Sequence, residues 1–220
     1  MLVAGVDDAG RGCVIGPLVI AGVLMKEEDL PKLSQLGVRD SKMLSPQRRE
    51  ILAAGIRRLA EKFSVEKLTP RQIDEVVLAG KKLRKLNWLE ARTMARVIEE
   101  LRPDIAYVDA SDVVEKRFGQ DILGCLPFEL KIVSEHKADS TYPIVSAASI
   151  IAKVERDREI SELAKVYGDF GSGYPSDPRT IQFLGQCLRQ SCDYPDFVRK
   201  SWKPAKKARS DRDSHQSRLA

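Results

Sequence analysis

The sequence predicts an α/β fold: a sheet covered by helices, with a small helical cap built from the last third of the chain. Three observations lead there. Short apolar runs alternate with stretches whose apolar residues recur at helical spacing, the order of a layered α/β domain. Three of the short runs deliver acidic residues at or just past their ends, and α/β sheets bind ligands in the crevice outside the carboxyl ends of their strands. A stretch rich in Gly, Pro, Ser and Asp, 168–178, sets the last helical segments apart as a separate piece.

Leu2-Val3-Ala4-Gly5-Val6 reads as a buried strand ended by the turn Ala9-Gly10-Arg11-Gly12, and residues 17–25 as a second strand. Pro46 to Phe63 carries Ile51, Leu52, Ile56, Leu59 and Phe63 at helical spacing, and residues 64–68 suit a strand. Leu86 to Leu101 puts Leu86, Leu89, Met94, Val97, Ile98 and Leu101 on one stripe. Asn87, with Glu90 three residues on, resembles a capping box at its start. A strand at 105–108 follows, then a short polar helix near 112–121 and a strand at 130–134. Ser146 to Val166 is a long helix with Ala147, Ile150, Ile151, Val154 and Leu163 facing inward. The loop 168–178 leads to two short helices near 178–190 and 194–200. The expected organisation is a main α/β domain over 1–167, a helical cap over 168–202 and a basic disordered tail over 203–220.

The chain has 220 residues, 43% hydrophobic and 31% charged, enough for one domain with a substantial core. No run approaches the ~18 apolar residues of a membrane span, and no signal peptide is visible at the N-terminus, so a cytoplasmic protein is expected. Cys13, Cys125, Cys187 and Cys192 form no Cys-x-x-Cys pair, and two histidines are too few to complete a zinc site. They are read as reduced packing residues. Lys203, Lys206, Lys207, Arg209, Arg212 and Arg218 stand against Asp211 and Asp213, so the tail holds most of the net charge of +5. Such a tail either touches phosphates non-specifically or is simply solvated.

Asp7 and Asp8 stand side by side where the first strand gives way to its glycine turn. Successive strand side chains point to opposite faces, so two adjacent acids suit a strand end, where a turn swings both toward one point. Asp109 follows the run Ile105-Ala106-Tyr107-Val108, and Asp139 lies just past Leu130-Lys131-Ile132-Val133. Paired carboxylates repel unless a cation sits between them, and hard divalent cations prefer oxygen ligands. Four such side chains suit one or two Mg²⁺ or Mn²⁺ ions, a pair of which can hydrolyse a phosphodiester. Taken singly, each acid also fits an ordinary turn, and Asp109 also fits a helix cap.

Gly5-Val6-Asp7-Asp8-Ala9-Gly10-Arg11-Gly12 followed by Gly16-Pro17-Leu18-Val19 resembles the opening of ribonuclease HII, the type 2 ribonuclease H. So do Asp40-Ser41-Lys42, Tyr107-Val108-Asp109, the stretch from Glu135 to Asp139, Ser146-Ala147-Ala148-Ser149-Ile150 and Gly173-Tyr174-Pro175-Ser176-Asp177-Pro178, all in register. Val198-Arg199-Lys200-Ser201-Trp202 resembles the archaeal branch. The resemblance implies the ribonuclease H-like fold, a mixed five-stranded sheet with a small C-terminal helical subdomain. It implies two divalent ions: Asp7 bridging both, Asp139 completing the one that activates water, and Asp109 with Asp8 holding the one at the leaving 3′ oxygen. The family usually has Asp-Glu where this chain has Asp7-Asp8, which draws one carboxylate back by a methylene.

The resemblance also implies that the Gly10-Arg11-Gly12 turn contacts the ribose 2′-hydroxyl at an RNA–DNA junction, and that Tyr174 packs on the junction sugar. Lys42 and Lys137 suit phosphate contacts, while His136 is left outside the chemistry. The expected enzyme hydrolyses the RNA strand of RNA/DNA hybrids and cuts 5′ of single ribonucleotides in duplex DNA. It is expected to be a monomer, and a protein contact through the tail is left open. Two rival readings stand beside it. One is a non-catalytic hybrid-binding protein. The other, a Mg²⁺-dependent phosphorelay receiver, sits poorly with the 102 residues between Asp7 and Asp109.

Overall fold

The continuous apolar run over residues 2–6 along β1 (Leu2–Ala9) gives the sheet a central strand with two buried faces. The structure, a computed structural model, describes residues 1–38, 44–79, 85–191 and 193–216. Strand β2 (Leu18–Lys26) runs antiparallel to β1, from Leu2↔Lys26 to Ala9↔Val19. With β3 (Lys62–Leu68), β4 (Ile105–Asp109) and β5 (Lys131–Glu135) they form a five-stranded sheet in the order β3-β2-β1-β4-β5. The β1–β4 and β4–β5 pairs are parallel, so the sheet is mixed, as expected. The helices are α1 (Leu30–Leu36), α2 (Pro46–Leu59), α3 (Pro70–Leu78), α4 (Lys85–Leu101), α5 (Glu115–Leu123), α6 (Ala138–Thr141), α7 (Pro143–Tyr167), α8 (Pro178–Gln190) and α9 (Lys203–Gln216).

The chain divides into two compact units. The first holds β1, β2 from Val19, α1, α2, β3 up to Lys67, and the chain from α4 to Asp157. Its sheet is covered on both faces. Val19, Ala21, Val23 and Met25 pack with Leu52 and Ile56 of α2 and with Ile144 to Val154 of α7. Ala4, Val6, Ile20, Leu24, Ala106 and Val108 pack on the other face with α4 and with Phe118 and Ile122 of α5. Gly5 fixes how closely α7 approaches, since a Cβ there would stand 2.3 Å from the Ile144 carbonyl.

The second unit holds residues 10–18, α3 and the chain from Arg158 onward. Val14, Ile15, Phe170, Leu184, Leu188, Phe197 and Val198 form its core, with Ile160, Leu163 and Ala164 of α7 against them. The division therefore falls inside α7, not at residue 167. The helix is long enough that its first part serves the sheet and its last turns serve the other core.

Three expectations are corrected. Asn87 does not cap α4, which already includes Lys85; its amide donates to Asp112 Oδ2 at 3.1 Å. The capping box belongs to α3, where Thr69 and Gln72 satisfy each other's backbone N–H groups. Residues 194–200 are not a helix: Gly16 N–H donates to Phe197 O and Arg199 N–H to Val14 O, and Ile15 bridges Val198. The Phe197 carbonyl and the Arg199 N–H are thus spent on the glycine turn, and the Val198 N–H closes only a tight turn on Pro195 O. Residues 203–216 of the tail are not disordered but form α9, where Ala205 is buried and Tyr194 Oη donates to its carbonyl at 2.9 Å.

Candidate active site

The pairing of β1 with β4 stops at Val6↔Val108, while its pairing with β2 continues to Ala9↔Val19. Asp7 and Asp8 therefore still lie in a strand, just beyond the parallel half of the sheet. This corrects the expectation of a turn swinging both to one side. The pleat sets their side chains on opposite faces, with Asp7 on the α7 face. Asp7 and Asp109 are each the residue just after the last β1–β4 pair, Val6↔Val108, and Asp109 pairs with Glu135. The carboxyl ends of three neighbouring strands thus present acids in a row.

Asp7 is buried, and its carboxyl titrates well above the ordinary range. Burial is the main cause, followed by the negative charges of Asp8 and Asp109. Two donors oppose the shift: the Ser149 hydroxyl, and the Asp8 N–H at 2.7 Å from Oδ1. Ser149 in turn accepts from Lys153 Nζ at 3.0 Å, one turn along α7. Asp109 Oδ1 accepts the Ala138 N–H at 2.8 Å, which fixes the start of α6 and brings in the neighbouring Asp139, itself buried. Lys137 makes this turn in the left-handed region, φ 57°, with its side chain exposed. His136 Nδ1 lies 3.1 Å from Ala110 O and its N–H donates to Glu115 Oε1 at 2.7 Å, a structural tie outside the acid row.

In the second unit the glycine turn is shaped by Gly10 and Gly16, both at φ 90°. Val14 N–H and Ile15 N–H both donate to Gly173 O, at 2.9 and 3.2 Å. Gly173 precedes Tyr174, and a Cβ on Gly12 would meet Tyr174 Cε1 at 3.9 Å, so the turn and the half-buried tyrosine are neighbours. The tyrosine loop is set by Asp177, whose Oδ2 accepts the Ser172 N–H at 2.7 Å, and by Thr180 Oγ1, which accepts the Gly173 N–H at 3.0 Å. The Asp177 carboxyl is pulled down to about 2, chiefly by that Ser172 N–H. Lys42, with Asp40 and Ser41, lies outside the described residues.

A sequence profile described as Ribonuclease HII matches residues 4–205. The chain belongs to the ribonuclease HII family. It is 47% identical over 209 residues to the ribonuclease HII of Thermococcus onnurineus, covering 94% of this chain and 89% of the relative. The crystal structure of ribonuclease H2 from Pyrococcus horikoshii superposes with a TM-score of 0.88 at 46% identity, covering 96% of this chain and 98% of that one. The RNase HII of Archaeoglobus fulgidus, solved as a complex with PCNA, gives 0.84 at 46% identity, covering 94% and 96%. The protein is thus a metal-dependent endoribonuclease of the ribonuclease H type with the ribonuclease H-like fold, and the receiver and non-catalytic readings fall away.

For a ribonuclease HII the donor set is chemically apt, since every carboxylate supplies hard oxygen. Among the described residues, no three acid, thiol or imidazole side chains already form a metal cage. Mg²⁺ does not require one: it keeps several waters and binds through one or two carboxylates plus substrate phosphate. Sequence reasoning gave no role to Ser149, Lys153 or Glu135. The i,i+4 spacing of Ser149 and Lys153 was a visible signal, but the bond of Ser149 to Asp7 was not. Tyr142 Oη donates to Glu135 Oε1 at 3.0 Å and its ring lies 4.6 Å from that of Tyr107, so Glu135 is held at the end of the acid row.

Proposed function

We propose that this ribonuclease HII hydrolyses the RNA strand of RNA/DNA hybrids and also cuts 5′ of a single ribonucleotide embedded in duplex DNA, leaving 3′-hydroxyl and 5′-phosphate ends. The observation that carries the reading is Asp7: a buried carboxyl crowded by Asp8 and Asp109 is a charge imbalance that divalent cations relieve. Asp7, Asp8, Asp109 and Asp139 would hold two ions, Mg²⁺ or Mn²⁺. Bound there, such a pair supplies activation of the attacking water and stabilisation of the leaving oxygen. In this reading Asp7 is shared, Asp139 serves the water side, and Asp109 with Asp8 serves the leaving 3′ oxygen.

Ser149 keeps the Asp7 oxygens aimed and favours their ionised form. Gly10, Arg11, Gly12 and Tyr174 read the sugar, where a 2′-hydroxyl distinguishes RNA from DNA. Lys137 and Lys42 contact phosphates, which set position without reading sequence. Partners are nucleic acid and, from the Archaeoglobus fulgidus complex, a PCNA-type protein. We take the enzyme as a cytoplasmic monomer.

The test is a duplex carrying one ribonucleotide, incubated with Mg²⁺ and Mn²⁺ separately. One cut on the 5′ side of the ribonucleotide is expected, with no cut in an all-DNA duplex. Cleavage of continuous hybrid alone would confine the activity to hybrids. Loss of the metal requirement would remove the proposed chemistry.

A further inference from the structure

Arg199 is wholly buried, the largest side chain among the described residues to be so. Its guanidinium is spent on main-chain carbonyls of the glycine turn. Nη2 donates to Gly10 O at 2.8 Å and Gly16 O at 3.1 Å, Nη1 to Arg11 O at 2.9 Å, and Nε to Gly16 O at 3.2 Å. The Trp202 ring lies against the guanidinium, 4.9 Å from centroid to Cζ. The segment carrying Arg199 is itself anchored by the buried acid of α3. Asp74 accepts from Lys200 N–H at 2.7 Å, and from Ser201 N–H at 3.0 Å and Ser201 Oγ at 2.5 Å.

This arrangement dictates where the turn's other polar groups point. In a trans peptide the C=O and the following N–H point in opposite directions. Holding Gly10 O and Arg11 O on the guanidinium therefore turns the N–H groups of Arg11 and Gly12 away from Arg199, as two successive donors on one side. Adjacent main-chain N–H groups presented this way make a concave site for an oxygen. A planar guanidinium fork holds three carbonyls in fixed directions, whereas the three donors of an ammonium rotate about a single point.

We propose that Arg199 is a positioning residue that aims the Gly10–Gly12 turn at the sugar of the substrate ribonucleotide, and so sets ribonucleotide selectivity. The inference rests on the reading of that turn given under Proposed function.

The experiment compares kcat/KM on a single embedded ribonucleotide with kcat/KM on a continuous hybrid, and follows each variant's thermal unfolding. For Arg199→Lys the embedded substrate is expected to lose on the order of 10- to 100-fold, mostly in kcat, and the hybrid clearly less, because small misplacements of binding groups carry such penalties. A variant with a lowered melting temperature but an unchanged ratio would reduce Arg199 to a packing role and overturn the proposal. If Arg199→Lys fails to fold, Asp74→Asn decides: it loosens the anchor while leaving the guanidinium in place. A fall in the ratio supports the proposal, and an unchanged ratio overturns it. Gly12→Ala separates the two layers of argument. If it shifts the ratio and Arg199→Lys does not, the Arg199 proposal alone fails. If neither shifts it, the reading of the turn fails and takes the proposal with it.

Discussion

A buried carboxyl beside two other acids is costly until a cation joins it, and Asp7 is such a group. Asp7→Asn is therefore expected to lower kcat/KM by ~10³-fold or more while the metal-free protein melts no lower than wild type. Asp109→Asn should lose a similar share of activity, but it weakens the acceptor for the Ala138 N–H and so lowers the melting temperature. Circular dichroism melts beside single-turnover rates check both; near-normal turnover in either variant would remove that acid from the chemistry. Tyr174 makes a different prediction. Loss of an aromatic face against the sugar costs about 1–3 kcal/mol by analogy with base stacking. Tyr174→Ala should spend that mainly on the single-ribonucleotide substrate, with Tyr174→Phe in between. Equal losses on embedded and continuous substrates would assign the ring to general binding.

At the level of elements, α7 reaches the Asp7 face of the sheet because β1 has no side chain at residue 5. Gly5→Ala would drive a methyl into the Ile144 carbonyl, which is backbone and cannot rotate away. A loss of about 1–3 kcal/mol or more is expected in denaturant unfolding, with activity falling because Ser149 shifts from Asp7. Helix α9 is held differently. Asp193 pairs with Lys200 Nζ at 2.6 Å and with Arg209, and its carboxyl is pulled down to about 2, chiefly by Lys200. A depressed folded-state pKa contributes stability above the unfolded value of 3.8, and that contribution is lost as pH falls toward about 2. The pair is half exposed, so the effect stays below ~1 kcal/mol. Amide exchange across α9 should quicken selectively over that acid window, and Asp193→Asn should reproduce the change at neutral pH. Unaltered exchange in that variant would show that the apolar contacts of Ala205 hold the helix alone.

For the whole molecule the open question is how the positive charge serves binding. Most of the net +5 lies in the final segment, and Lys206 and Lys207 are exposed on α9. If they touch phosphates, each change to Ala lowers the slope of log affinity against log salt by about 1 without moving the cleavage site. An unchanged slope in the double variant would make these lysines a solvated face. Point changes are the right probe, because deleting α9 would also uncover the buried Ala205 and the Tyr194 hydroxyl that bonds to it.

Much of this was written locally in the chain. Short apolar runs and helical periodicity placed the strands and the long helices, and the acids after three of those runs marked the acid-bearing end of the sheet. Periodicity is a property of neighbouring residues, so it survives in a sequence read alone. The fate of Asp7 and Asp8 was not local: that they stay inside a strand depends on β2 pairing farther than β4 does. The segment 194–200 had helical composition, yet its backbone groups were claimed by the glycine turn far away in sequence. The tail looked too polar to order, yet the buried Ala205, the Tyr194 hydroxyl and the Asp193–Arg209 pair tie α9 down. Arg199 was equally hidden, because a lone arginine in a sequence is a surface charge until the fold wraps three carbonyls around it. Chemistry-bearing residue types were legible from spacing; which groups they face is decided by long-range hydrogen bonds, and these exist only once the chain is folded.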